Sequence, residues 1–226
     1  FLLLPNDVNG WGSENPDISD KPVMEITTKI GCSVNCKYCP QKLLLNRYWS
    51  HNDRPQMMSF EMFKRCIDKL DKETIIQFCG YCEPFLNSSC AAMIQYADKQ
   101  GFKVSLYTTL VGLSEKQFNM IKDIPFINVV LHLPDENNFA TIPINSEYLT
   151  ILNKVIAYKR NNGMPFVDHA CCQTQPLPMI KKMLEGKMRI FSEMTDRAGN
   201  LDDVGLVKSG YKNGTIKCSR VMNKFV

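Results

Sequence analysis

Apolar and polar positions alternate with period two from Val23 to Ile30: Met24, Ile26, Thr28 and Ile30 fall on one face, Glu25, Thr27 and Lys29 on the other. That is the signature of a half-buried strand. Ser59 then caps a predicted helix whose Phe60, Phe63, Ile67 and Leu70 follow helical spacing. Thr74 to Cys79 is short and nearly all apolar, as a buried parallel strand is. The alternation continues with a helix over 87–100 closed by Gly101, a strand over 102–107, and a capping-box start at Ser114-Glu115-Lys116-Gln117. A fourth strand is predicted over 127–131, and a fourth helix carries Tyr148, Leu149, Leu152, Val155 and Ile156 on one face before Asn161-Asn162-Gly163. Strands five and six, over 166–172 and 188–194, flank a short helix over 180–185. Six strand–helix steps in register imply parallel strands with right-handed crossovers. Periodicity alone does not separate a partial barrel from an open doubly wound sheet.

Two stretches fall outside this rhythm. Residues 1–21 read as an irregular arm, rich in Asn, Asp, Gly, Pro and Ser from Asn6 onward, with Trp11 as its one large anchor. The apolar start Phe1-Leu2-Leu3-Leu4 is too short for a signal-peptide core or a membrane span. A chain without an initiator Met that stops at Val226 reads as a fragment. Gln41 to Met58 reads as an eighteen-residue connection, with Arg47, Tyr48, Trp49, His51 and Arg54, either lying over an active-site mouth or forming a surface excursion pinned by Trp49.

At 226 residues one barrel-type domain can occupy the chain. Its 44% apolar and 22% charged residues are ordinary for a globular protein, and the net charge of +4 comes from interspersed residues, so no nucleic-acid or membrane partner is called for. Ten cysteines are many, yet they are not spread as in a small secreted domain, which points to a reducing cytoplasm. Cys66 and Cys90, at apolar helical positions, read as small core residues.

Chemistry concentrates in Gly31-Cys32-Ser33-Val34-Asn35-Cys36-Lys37-Tyr38-Cys39-Pro40, a Cys-x3-Cys-x2-Cys run directly after the first strand. Thiolates select iron–sulfur clusters and zinc. Three of them hold a cubane with one iron left for a non-protein ligand; with a fourth ligand from elsewhere, such as Cys82 or His132, they would close a structural zinc or iron–sulfur site instead. The run, with Tyr38 before its third cysteine, resembles the signature of the radical S-adenosylmethionine superfamily.

Further segments extend the resemblance across roughly Val23 to Cys218. Gly80-Tyr81-Cys82-Glu83-Pro84, after the second strand, resembles the family's Gly-Glu-Pro segment, which binds the methionine amino group; Cys82 stands where relatives have glycine. Tyr107-Thr108-Thr109-Leu110 is similar to its Thr-Asn-Gly segment, with Thr109 in place of asparagine, and implies that hydroxyls meet the cofactor's ribose or carboxylate. His132 follows the fourth strand and implies a cofactor-ribose or substrate contact. His169-Ala170-Cys171-Cys172 ends the fifth strand, and of its adjacent cysteines at most one faces the site. Asp196-Arg197-Ala198-Gly199-Asn200 resembles the stretch that precedes a SPASM extension, and a hairpin at Asn213-Gly214 leads to Cys218, the position of the first extension cysteine.

The resemblance implies a partial (β/α)6 TIM-like barrel over 22–200 and an incomplete SPASM-like extension, a short hairpin, over 201–226. It implies a [4Fe–4S] cluster on Cys32, Cys36 and Cys39, with S-adenosylmethionine on the open iron contacting Tyr38, Gly80, Cys82, Glu83, Pro84, Thr108, Thr109 and His132. Reductive cleavage then gives a 5′-deoxyadenosyl radical that abstracts a hydrogen atom from a peptide, sugar or other small substrate, with electrons from a donor such as flavodoxin or ferredoxin. The oxidoreductase and transferase classes stay open, as do two competing readings: a non-enzymatic metal protein, and a degenerate barrel that binds a partner, motivated by Cys82 and Thr109.

Overall fold

In a computed structural model, which describes residues 3–4, 21–49 and 56–192, the chain builds one sheet with strands in the order β1 to β7. β1 (Leu3–Leu4) is a short antiparallel edge on β2 (Val23–Ile26). β3 (Ile75–Phe78), β4 (Val104–Thr108), β5 (Asn128–His132), β6 (His169–Cys172) and β7 (Ile190–Ser192) each add in parallel to the strand before. A doubly wound sheet reverses its strand order at a switch point; here β2 to β7 advance without reversal. Crossovers of one hand then place every helix on the same face, and the result is the partial (β/α)6 barrel expected from the sequence. Among the described residues β7 has no second strand neighbour, so the barrel is open.

The helices follow from local signals. Ser59 Oγ accepts from Met62 N at 3.1 Å to start α2 (Phe60–Ile67). The capping box of Ser114 and Gln117 starts α4 (Glu115–Ile121), and Asn145 Oδ1 accepts from Tyr148 N at 2.8 Å to start α5 (Ser146–Ala157). α3 (Cys90–Lys99) and α6 (Pro178–Leu184) complete the outer layer. The core lies between these helices and the outward face of the sheet, where Ile26, Ile76, Phe78, Leu106, Val129 and Leu131 are fully buried. Cys90 belongs to that core, whereas Cys66 is only half-buried, since it sits on the flank of α2.

Two elements depart from the expectation. β1 lies in the stretch over 1–21 that reads as an irregular arm; its Leu3 and Leu4 pair with Met24 and Val23, and two residues are too few for alternation to reveal, while Trp11 lies outside the described residues. Gln41–Trp49 is a helix, α1, where the sequence reads as loop. Of its nine residues only Gln41 is buried, so it has no apolar stripe for periodicity to detect. Helix α3 starts three residues later than predicted because Pro84–Leu86 forms a separate 3-10 turn and Asn87 is used as a tie. The Asn87 side chain donates to Thr28 O and Met58 O, each at 2.9 Å. His51, Arg54 and the segment from Asp196 to Cys218 lie outside the described residues.

Candidate active site

At the C-terminal ends of β2 to β5 lies a cleft of about 550 Å³, its open mouth included. Parallel barrels gather ligands there because the strand-to-helix loops converge on that end. Cys32, Cys36 and Cys39 form one part of its wall and Gly80, Cys82, Glu83 and Pro84 another. Tyr38, Thr108, Thr109 and His132 complete the set named from sequence, so the fold brings every one of those residues to a single cavity.

The cysteine loop is held from both sides. Gly31 and Asn35 adopt positive φ (88° and 45°), which turns the chain sharply out of β2. Lys37 N donates to Phe139 O at 2.7 Å and Thr141 N to Val34 O at 2.8 Å, so residues 139–141, beyond β5, clamp the loop from outside. Tyr38 and Phe139 pack together, both buried, against Cys36. On the cleft side Glu83 N donates to Cys32 Sγ at 3.4 Å. The Cys32 thiol is lowered to about 6, first by a hydrogen bond from the Cys82 thiol and then by backbone N–H groups of Glu83, Val34 and Asn35, against the opposing effect of burial. Cys82 is pushed far up by the same partnership and by burial, and its Sγ lies 3.0 Å from Glu83 O, to which it donates.

Glu83 is the chemical centre of the opposite wall. It is 4% exposed, which excludes a solvent-facing turn glutamate. Its Oε1 accepts from Thr108 Oγ1 at 2.7 Å and Phe85 N at 3.3 Å; its Oε2 accepts from Thr109 N at 2.6 Å and Thr109 Oγ1 at 2.7 Å. Four donors satisfy the oxygens, yet no basic side chain among the described residues forms an ion pair with the carboxylate. Burial therefore dominates and pushes Glu83 up to about 7, while the Thr109, Thr108 and Phe85 donors pull the other way. The threonine hydroxyls are committed here. Thr108 also accepts from Leu110 N at 2.8 Å, so both threonines act in this structure by fixing Glu83.

Gly80 has φ +94°, and a Cβ there would stand 2.2 Å from Thr27 Oγ1. The turn out of β3 thus packs directly on the end of β2, and Thr28 Oγ1 donates to Pro84 O at 2.9 Å to secure it. Sequence reasoning missed Gln41, Cys79, Tyr81 and Tyr107, which also line the cleft. Gln41 Nε2 donates to Tyr81 O and joins the cysteine loop to the Glu83 turn. Strand parity could have found Cys79 and Tyr107, since they share the inward face with Gln77 and Ser105. His132 and Cys171 are ladder partners, so Cys171 is the inward cysteine, while Cys172 joins the core and donates to Thr174 O at 3.2 Å. His169 lies on the inward face as well, stacked edge-on against Phe191.

Among the described residues no three His, Cys, Asp or Glu side chains converge as a single metal ion requires. A cubane makes a different demand, one thiolate per iron rather than several on one ion. Three reduced thiols on one cleft wall, one of them a thiolate near neutral pH, fit that demand.

No protein-family model matches the chain. Residues of the chain are 31% identical over 87 positions to the S-adenosylmethionine-dependent nucleotide dehydratase of Selenomonas ruminantium, a match covering 38% of this chain and 28% of that protein. The chain therefore spans little more than a quarter of that relative's length. Among solved structures, BtrN in complex with AdoMet and 2-DOIA gives a TM-score of 0.44 at 15% identity over 66% of this chain and 55% of that one. BtrN in an open conformation gives 0.37 at 17% identity over 49% of each chain.

Proposed function

We propose that this chain is the core of a radical S-adenosylmethionine enzyme. The observation that carries the reading is the pairing of three thiols with a buried carboxylate that lacks a cation, all lining one cleft. Cys32, Cys36 and Cys39 would hold a [4Fe–4S] cluster, which when bound and reduced supplies the electron for reductive cleavage of S-adenosylmethionine. Glu83 holds the cofactor's ammonium. A positive group beside a carboxylate buried without a counter-ion keeps it ionised and offsets its desolvation. Thr108 and Thr109 fix the carboxylate's orientation, and the glycine at position 80 lets the turn pack close to β2. Tyr38 and His132, on the same cleft, are the remaining cofactor contacts we propose. The name of the Selenomonas ruminantium relative, which states dependence on S-adenosylmethionine, supports the same cofactor. An electron donor of the flavodoxin or ferredoxin kind and a cytoplasmic location complete the proposal. No described helix is long and apolar enough to cross a membrane.

Replacing Glu83 by Ala tests the placement. S-adenosylmethionine affinity should fall about tenfold or more, the order of a lost charge-assisted contact, while bound iron and sulfide stay near wild type. Unchanged affinity in a folded variant, checked by thermal melting, removes Glu83 from the cofactor site.

A further inference from the structure

The inward face of the sheet is polar at positions where barrels of this type stack branched apolar side chains. Glu25 on β2 pairs in the ladder with Gln77 on β3, Gln77 with Ser105 on β4, and Ser105 with Asn128 on β5. One level of the interior is thus four hydrogen-bonding residues, spread over about 14 Å at the usual strand spacing. Toward the strand C-termini Tyr107 comes next, paired with the buried Val130, and Tyr107, Cys79 and His132 are the inward residues that line the cleft above this floor. Glu25, Gln77, Tyr107 and Asn128 are partly buried, whereas the residues that follow Glu25 and Asn128 and precede Gln77 and Tyr107, on the other face, are fully buried.

The hydrogen bonds within the floor leave capacity unused. Gln77 Nε2 donates to Glu25 Oε1 at 3.2 Å and to Cys79 Sγ at 3.3 Å, and Asn128 Nδ2 donates to Tyr107 Oη at 3.4 Å. Glu25 Oε2, Gln77 Oε1 and Asn128 Oδ1 remain as acceptors without a partner among the described residues; the Tyr107 hydroxyl proton and one N–H of Asn128 remain as donors. Acceptors outnumber donors, and the one formal charge, on Glu25, is negative.

We infer that this floor binds the substrate, and that the substrate is a small molecule rich in hydroxyl or amino donors, neutral or cationic, of the polyol or amino-sugar class. Its role as a substrate site rests on the function proposed above. A lipid chain would strand these polar groups, and an anion would meet Glu25. A peptide adding as a strand needs an unpaired edge, but β2 to β6 are each paired on both sides.

Calorimetric titration of the intact chain with glucosamine, myo-inositol, glucose 6-phosphate and the tripeptide Gly-Ser-Gly tests this, each with S-adenosylmethionine titrated in parallel. Glucosamine should bind most tightly and glucose 6-phosphate more weakly than myo-inositol. Glu25→Gln should weaken glucosamine about tenfold, as expected for a hydrogen bond to a charged group, and leave S-adenosylmethionine within about twofold. Asn128→Ala provides a second variant should the first fail to fold. Absence of binding by either polyol, tighter binding of the tripeptide, or glucosamine binding indifferent to both variants overturns the inference. Binding of S-adenosylmethionine without glucosamine removes the floor and leaves the proposed function standing. Glu25-dependent glucosamine binding without S-adenosylmethionine does the reverse.

Discussion

Consecutive residues of β3 show two different environments. Ile76 and Phe78 point at the helices and have no exposed surface, while Gln77 between them faces the interior, partly exposed and hydrogen-bonded to Glu25. The same division runs through β2, where Met24 and Ile26 are buried and Glu25 is not. A strand has only two faces, and this protein packs one against the helices and places polar, partly solvated residues among those of the other. Stability and function should therefore separate by residue parity, and substitutions can break or sharpen that separation.

The largest expected effect lies on the outer face. Phe78 packs against Phe63 at 5.7 Å between ring centroids, and Phe78→Ala should cost about 3–5 kcal/mol in denaturant unfolding, through lost transfer energy and a residual cavity. Gly80→Ala comes next, because it combines positive φ with collision against Thr27. A cost of about 1–3 kcal/mol is expected, with S-adenosylmethionine affinity falling, and Thr27→Ala should restore part of both in a double-variant titration. Gln77→Ala, one residue from Phe78, should change unfolding free energy by no more than about 0.5 kcal/mol, as a partly exposed substitution does. Equal losses at residues 77 and 78 would contradict the division of faces.

The smallest effect is a pH dependence on the inner face. Burial, the leading cause, lowers His169 below its ordinary 6.5, with Arg189 adding to the shift and Asp168 opposing it. The unfolded chain then takes up the proton first, so stability falls as pH drops below about 6.5 toward the lowered folded value and levels off beneath it. Melting curves of wild type and His169→Gln between pH 7.5 and 5 should diverge in that window alone.

Much of this was legible in the sequence because it is written in short-range patterns. Alternation located all six parallel strands, and the cysteine spacing and Glu83-Pro84 pointed to the residues that line the cleft. Information carried by pairing across distance was not legible. The choice between a barrel and a doubly wound sheet depends on strand order, and the tie of Thr108 and Thr109 to Glu83 spans some 25 residues. Helix α1 escaped because Leu43, Leu44 and Leu45 are consecutive and none is buried. The polar floor had a readable signal, since Glu25, Gln77 and Asn128 interrupt otherwise apolar strands, but its meaning required knowing that those positions share one level.

The central claim is that the cysteine wall and Glu83 form one cofactor site. Anaerobic reconstitution with iron and sulfide, followed by electron paramagnetic resonance of the reduced protein with and without S-adenosylmethionine, tests it most directly. The account predicts a [4Fe–4S] signal that shifts when S-adenosylmethionine is added and is abolished by replacing Cys32, Cys36 and Cys39 together. Uptake of zinc in place of the cluster, or a cluster signal indifferent to S-adenosylmethionine, would contradict it.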